Sequence, residues 1–157
     1  MRPLLRTVAL ALLAGSATAQ LPVEVHPKQT ELLLSADVQL AANKRLAFDF
    51  WREVIQARRA DKAGRYIADP YVEHDPTGAG GRAAFVAGIG RRPPEPVKDT
   101  IDDLVRIVAE RDLVVLAFRR VLPDLEHEGQ TYTTTSFHML RIADGKIVEH
   151  WSSSAND

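Results

Sequence analysis

FHMLRIADGKIVEHW, residues 137–151, carries β-forming residues on both sides of Ala143-Asp144-Gly145, and the length of that turn fixes which side chains share a face. Ala143-Asp144 suits a type I turn followed by Gly145 in the left-handed region, a three-residue loop in which Ile142 pairs with Lys146. His138 then lies across from His150, on a face with Ser136, Leu140, Val148 and Ser152. Phe137, Met139, Ile147 and Trp151 fall on the other. A two-residue turn at Asp144-Gly145 pairs Ala143 with Lys146 and sends His138 and His150 to opposite faces. The three-residue form is the expectation.

Upstream, "TIDDLVRIVAE" (100–110), "DLVVLAFRRVL" (112–122) and "GQTYTTTSFHMLRI" (129–142) are rich in Val, Leu, Ile and Thr, and read as three more strands. The break at Glu110-Arg111-Asp112 is short enough for a hairpin. Before Thr100 the period is helical. Leu46, Phe50, Val54 and Ala57 form a stripe widened by Phe48, Trp51 and Ile55, with Asn43 as N-cap and an end near Ala60. "DKAGRYIA" (61–68) reads as a short second helix before Pro70, and "RAAFVAGIG" (82–90) as a third, closed by Gly90. Three prolines at 93, 94 and 96 stop further helix. Three helices followed by four antiparallel strands make an α+β domain, with the helices on one face of the sheet. Leu46, Phe50, Val54, Phe85, Leu104, Val114, Leu116, Phe118 and Leu140 are the expected core.

The first 19 residues have the form of a signal peptide: Arg2 and Arg6, an apolar run over 8–14, and Ala17-Thr18-Ala19 as the cleavage site. The run is too short for the ~20 residues of a spanning helix, so cleavage after Ala19 and a secreted or periplasmic product, free of the membrane, are expected. Residues 20–42, with two prolines and no sustained period, read as a partly ordered leader before a domain over 43–157. His26 is there a solvated loop residue. Cleavage removes two arginines and no acid, taking the net charge from −1 to −3. Charges of mixed sign leave no footprint for nucleic acid. There is no cysteine, so the exported chain depends on its core rather than on disulfides.

Together, these helices, "YVEHDP" (71–76), the Gly-led third helix and the closing "FHMLRIADGKIVEHW" resemble the SnoaL-like polyketide cyclase group of the nuclear transport factor two-like superfamily. The resemblance covers roughly residues 43–152. It implies a cone-shaped, cystatin-like fold with a curved sheet and three helices on its concave side, a cavity for a small apolar or carbonyl-containing molecule, no cofactor, and a homodimer formed through the outer sheet face. His74-Asp75-Pro76 resembles a motif at the mouth of that cavity, and Asp75-Pro76 resembles the Asp-Pro of ketosteroid isomerase, whose Asp is a general base. Where relatives carry Asp before an apolar-Phe-Arg run, this chain has His138 before Met139-Leu140-Arg141, so an imidazole replaces the carboxylate.

Val-Glu-His occurs twice, ending at His74 and at His150, and with His138 these histidines are expected to face one cavity. Three readings remain open. An imidazole titrating near ~6.5 can take a proton α to a carbonyl while Asp75 or another histidine serves the oxygen. Three neutral imidazoles can hold Zn²⁺ with a fourth position open. The histidines can also be polar points in a pocket that binds a ligand and leaves it unchanged. The catalytic set is His74, Asp75, His138 and His150 without metal, and Trp51, Tyr66, Tyr71, Ser136 and Leu140 are the candidates to contact substrate. Glu73 and Glu149, alternating with those histidines, are expected to point away. No phosphate loop, nucleophile elbow or Cys-based metal pattern is present. The leading function is cofactor-free lyase or isomerase chemistry, with a non-catalytic binding module or a structural dimer as the alternatives.

Overall fold

A computed structural model describes residues 21–75 and 80–153, so the signal-peptide segment and Pro76 lie outside the described residues. A 3₁₀ turn at Gln29–Leu33 precedes helix α1, Val38–Phe50, which runs on into a wide π-type turn, Trp51–Gln56. Helix α2 is Ala63–Tyr66 and α3 is Arg82–Ile89. The strands are β1 Ile67–Glu73, β2 Leu104–Glu110, β3 Leu113–Pro123, β4 Thr131–Ala143 and β5 Lys146–Ser152. They form one open sheet in the order β1-β5-β4-β3-β2, with the helices over its inner face. The fold class is the expected α+β arrangement.

Several boundaries differ from the expectation. Helix α1 starts at Val38, because the Asp37 carboxylate caps the amides of Gln39 at 2.7 Å and Leu40 at 3.1 Å. Asn43 is instead buried inside the helix, where its amide donates to the Arg111 carbonyl at 3.2 Å. The second helix stops at Tyr66, and the chain turns at once into a fifth strand. That strand, β1, runs parallel to β5 at the sheet edge, where Pro70 costs no ladder hydrogen bond. Residues before α1 are docked: the Gln29 side chain donates to the Ile101 carbonyl at 2.7 Å and accepts from the Ile101 amide at 2.8 Å.

The core lies between α1 and the sheet. Phe50, Val54, Leu104, Val114, Leu116, Phe118 and Leu140 are buried as expected, while Leu46 and Phe85 are only partly covered at its margin. Phe48 and Ala47 are more central than Leu46, because α1 presents a slightly rotated face.

The closing hairpin departs from the expected register, yet the two histidines keep a common face. The loop is the two-residue form: Ala143 pairs with Lys146 and Ile142 with Ile147, not with Lys146. Asp144 and Gly145 both have positive φ, 50° and 69°, as a type I′ turn requires. Regular pairing from there would turn His150 outward. One residue later Arg141 pairs with Glu149, which leaves Val148 as a bulge. The extra residue inverts the alternation, so that Ile147 before it and His150 after it both point inward. Ile147, expected on the outer face, is therefore fully buried.

Candidate active site

β4 and β5 carry His138 and His150 inward on adjacent strands. Leu140 pairs with His150 and His138 with Ser152, so the histidines are diagonal neighbours, and Nδ1 of His138 lies 3.0 Å from Nε2 of His150. β1 adds a third group. Its parallel pairing sets Glu73 beside His150, and Nδ1 of His150 lies 2.9 Å from Oε2 of Glu73. The same oxygen accepts from the Tyr71 hydroxyl at 2.7 Å, and Oε1 accepts from the Asp75 amide at 3.0 Å. The Glu73 side chain is 6% exposed.

Aromatic rings wall the near end of this chain. Trp51, carried on the wide turn after α1, stacks on Phe118 with ring centroids 4.6 Å apart and tilts against His138 at 4.5 Å. Phe118 meets His138 edge-on at 5.5 Å. Tyr66, Phe50, Phe85 and Tyr71 continue the wall, each ring about 6 Å from the next.

Electrostatics follow from this burial. Desolvation disfavours charge on Glu73, but hydrogen bonds from His150 and Tyr71, with the Asp75 amide, outweigh it and hold the carboxyl down to about 2. Burial pushes His138 down to about 4, and a charged His150 would push the same way, while Glu73 and Asp75 pull back. Burial and the Glu73 carboxylate together raise the Tyr71 phenol far above its usual range. At neutral pH the cluster is thus an anionic carboxylate, a phenol and a neutral His138.

The outer face holds a separate cluster. His74 follows Glu73 and turns outward, where Nε2 lies 2.7 Å from Oε1 of Glu149 and the ring stacks on Trp151 at 4.9 Å. Nε of Arg141 donates to the other Glu149 oxygen at 2.7 Å. The two Val-Glu-His copies therefore sit in opposite phase, the first with Glu inward and the second with His inward.

Residues 48–150 match the SnoaL-like domain family. The chain belongs to that family. Among solved structures, a candidate polyketide cyclase from Acidithiobacillus ferrooxidans is similar with a TM-score of 0.51 and 18% identity, over 76% of this chain and 89% of that one. A Xanthomonas campestris protein of cystatin-like fold gives 0.48 and 21%, over 71% and 91%. TsrD from Streptomyces laurentii gives 0.46 and 20%, over 76% and 90%. No curated protein matches.

In this SnoaL-like domain the expected site residues divide. His138, His150 and Tyr71 come together on the inner face, and Asp75 joins them through its amide and its field at His138. Trp51 borders His138. Ser136 is buried further along β4, and Leu140, paired with His150, is buried in the core. Tyr66 stands apart: burial and a hydrogen bond to Glu53 push its phenol up to about 12. His74 is on the opposite face, so the three histidines do not converge on one ion, and among the described residues no group of three acids or histidines has metal-holding geometry. Glu73, expected to point away, is the centre of the cluster. A signal for it existed in the sequence: Tyr71, Glu73 and Asp75 share one parity on a strand and His74 has the other.

Proposed function

We propose that this chain is an exported SnoaL-like protein that takes a small, largely apolar carbonyl compound against its inner sheet face and moves a proton on it, without a cofactor. The reaction class is that of an isomerase, cyclase or dehydratase. One observation carries the reading. Among the described residues nothing hydrogen-bonds Nε2 of His138, while Nδ1 is engaged by His150 and the ring is walled by Trp51 and Phe118. An imidazole nitrogen free to accept, set between apolar rings, suits abstraction of a proton α to a carbonyl. The bond electrons pass to the carbonyl oxygen as an enolate, and the proton returns at carbon or leaves with a hydroxyl group.

The test is proton exchange. Enolisable ketones and aldehydes of increasing apolar size are incubated in D₂O with the protein, and loss of the α-proton signal is followed by NMR. Exchange that disappears in His138→Ala, with the fold intact, supports the reading. A compound that copurifies, binds and never exchanges makes the domain a binding module instead. Export is checked by the N-terminus of the mature protein recovered from periplasm or medium, expected at Gln20.

A homodimer belongs to the same proposal. Val108, Val115, Met139 and Trp151 form an apolar row across four strands of the outer face, beside exposed Phe137. A second copy of this sheet face is the partner that suits it.

A further inference from the structure

We infer that Glu73, held by Tyr71, is a positioning residue that fixes the tautomers of both inner-face histidines and leaves Nε2 of His138 as the bare, proton-accepting nitrogen of the site. With His150 neutral, the hydrogen-bond chain admits one consistent arrangement of protons. An ionised carboxylate only accepts. Oε2 of Glu73 already takes the Tyr71 hydroxyl, and Oε1 takes the Asp75 amide, so the contact from His150 must be a donation from Nδ1–H. A neutral His150 then has a bare Nε2. That atom lies 3.0 Å from Nδ1 of His138, and two lone pairs at this distance repel, so His138 carries its proton on Nδ1. Its Nε2 is left bare. Both rings are thereby held in the Nδ1–H form, the reverse of the tautomer an isolated neutral histidine prefers. The low ionisation range of Glu73 supports the first step, since a protonated carboxyl would permit the opposite order.

The same chain resolves a difficulty in using His138 as a base. Its buried ring, against Trp51 and Phe118, holds a positive charge poorly. When Nε2 takes a proton from carbon, the Nδ1 proton can pass to Nε2 of His150. The charge then rests on an imidazolium 2.9 Å from Glu73, and His138 is again neutral with a proton on Nε2. One proton enters, one is relayed, and no electron is gained or lost. His138 is then poised to return a proton to the same face of the substrate. Among the described residues the ionisable groups facing this pair are Glu73, Tyr71 and Asp75 from the β1 side. Trp51 and Phe118 close the rest and do not titrate.

The tautomer assignment stands without the proposed activity. Only the use of His138 as base rests on it, so two readouts separate the two. Long-range ¹H–¹⁵N correlation on ¹⁵N-histidine-labelled wild type at pH 7.5 is expected to show bare Nε2 and protonated Nδ1 for His138 and His150. Glu73→Leu, which has no acceptor, is expected to shift both rings toward Nε2–H, His138 included although it does not touch Glu73. Glu73→Gln keeps an acceptor oxygen and is expected to retain the tautomers but lose the anion, lowering α-proton exchange by roughly a hundredfold, at the lower edge of what a positioned base contributes. A wild-type spectrum with Nε2–H on His138 overturns the inference without any variant. So does Glu73→Gln exchanging at the wild-type rate. Correct tautomers with no exchange on any carbonyl compound leave the positioning role intact and sink the function instead.

Discussion

His138 gives the sharpest stability prediction, because its neutral form is what the fold accommodates. Its pKa falls from 6.5 to about 4 on folding, through burial first, with repulsion from His150 wherever that ring carries charge, against the pull of Glu73 and Asp75. The difference is equivalent to about 3 kcal/mol of preference for the neutral ring. Solvent at the partly covered ring edge reduces this to about 2. The sign is that of a base whose folded pKa is depressed: between the two values the unfolded chain binds the extra proton, so stability rises with pH. The contribution is complete above about pH 6.5 and is lost as the pH falls toward 4. Glu73, with its carboxyl held near 2, loses its own contribution only below about pH 4.5, so it does not enter the window above that pH. The perturbation is His138→Leu, with urea unfolding of wild type and variant at half-unit steps from pH 8 to 4.5. The variant carries a constant packing offset, so the difference between the two free energies isolates the imidazole. That difference is expected to be flat above pH 7 and then to move against wild type by about 2 kcal/mol by pH 4.5. Parallel curves, agreeing within about 0.5 kcal/mol after the offset, would falsify the claim that the fold disfavours the charged ring.

Phe118→Ala is expected to cost about 3–5 kcal/mol in the same denaturation assay, since the buried ring supports both Trp51 and His138. Inserting one alanine after Val148 moves Glu149 opposite Leu140 and His150 opposite Met139, which turns His150 to the outer face. The hairpin should survive in its amide NMR pattern while the His138–His150 contact and any ligand binding disappear. Asp37→Ala, which uncaps α1, is expected to lower stability by about 1 kcal/mol and to leave ligand binding unchanged by calorimetry. Phe137→Asp, a charge placed on the apolar outer face, is expected to convert a dimer to monomer in sedimentation velocity; an unchanged distribution moves the interface elsewhere.

Much of this protein is legible in local sequence. Val, Leu and Ile runs bounded by turn residues locate β2 to β5, and Gly90 and the prolines after it close α3, because propensity, alternation and turn chemistry act over a few residues. The positive φ of Gly145 is equally local. What the tertiary structure decided is which side chains meet. β1 escaped local reading because "IADPYVE" joins the sheet through pairing with residues more than seventy positions away, and that pairing sets Glu73 beside His150. The inward turn of His150 depends on Val148, a one-residue bulge with no turn signature of its own, placed where β5 accommodates both β4 and the parallel β1. Side-chain parity along a strand is written in the sequence, but its absolute sign is not. One added residue reverses it, and only the fit of three strands determines where that residue goes.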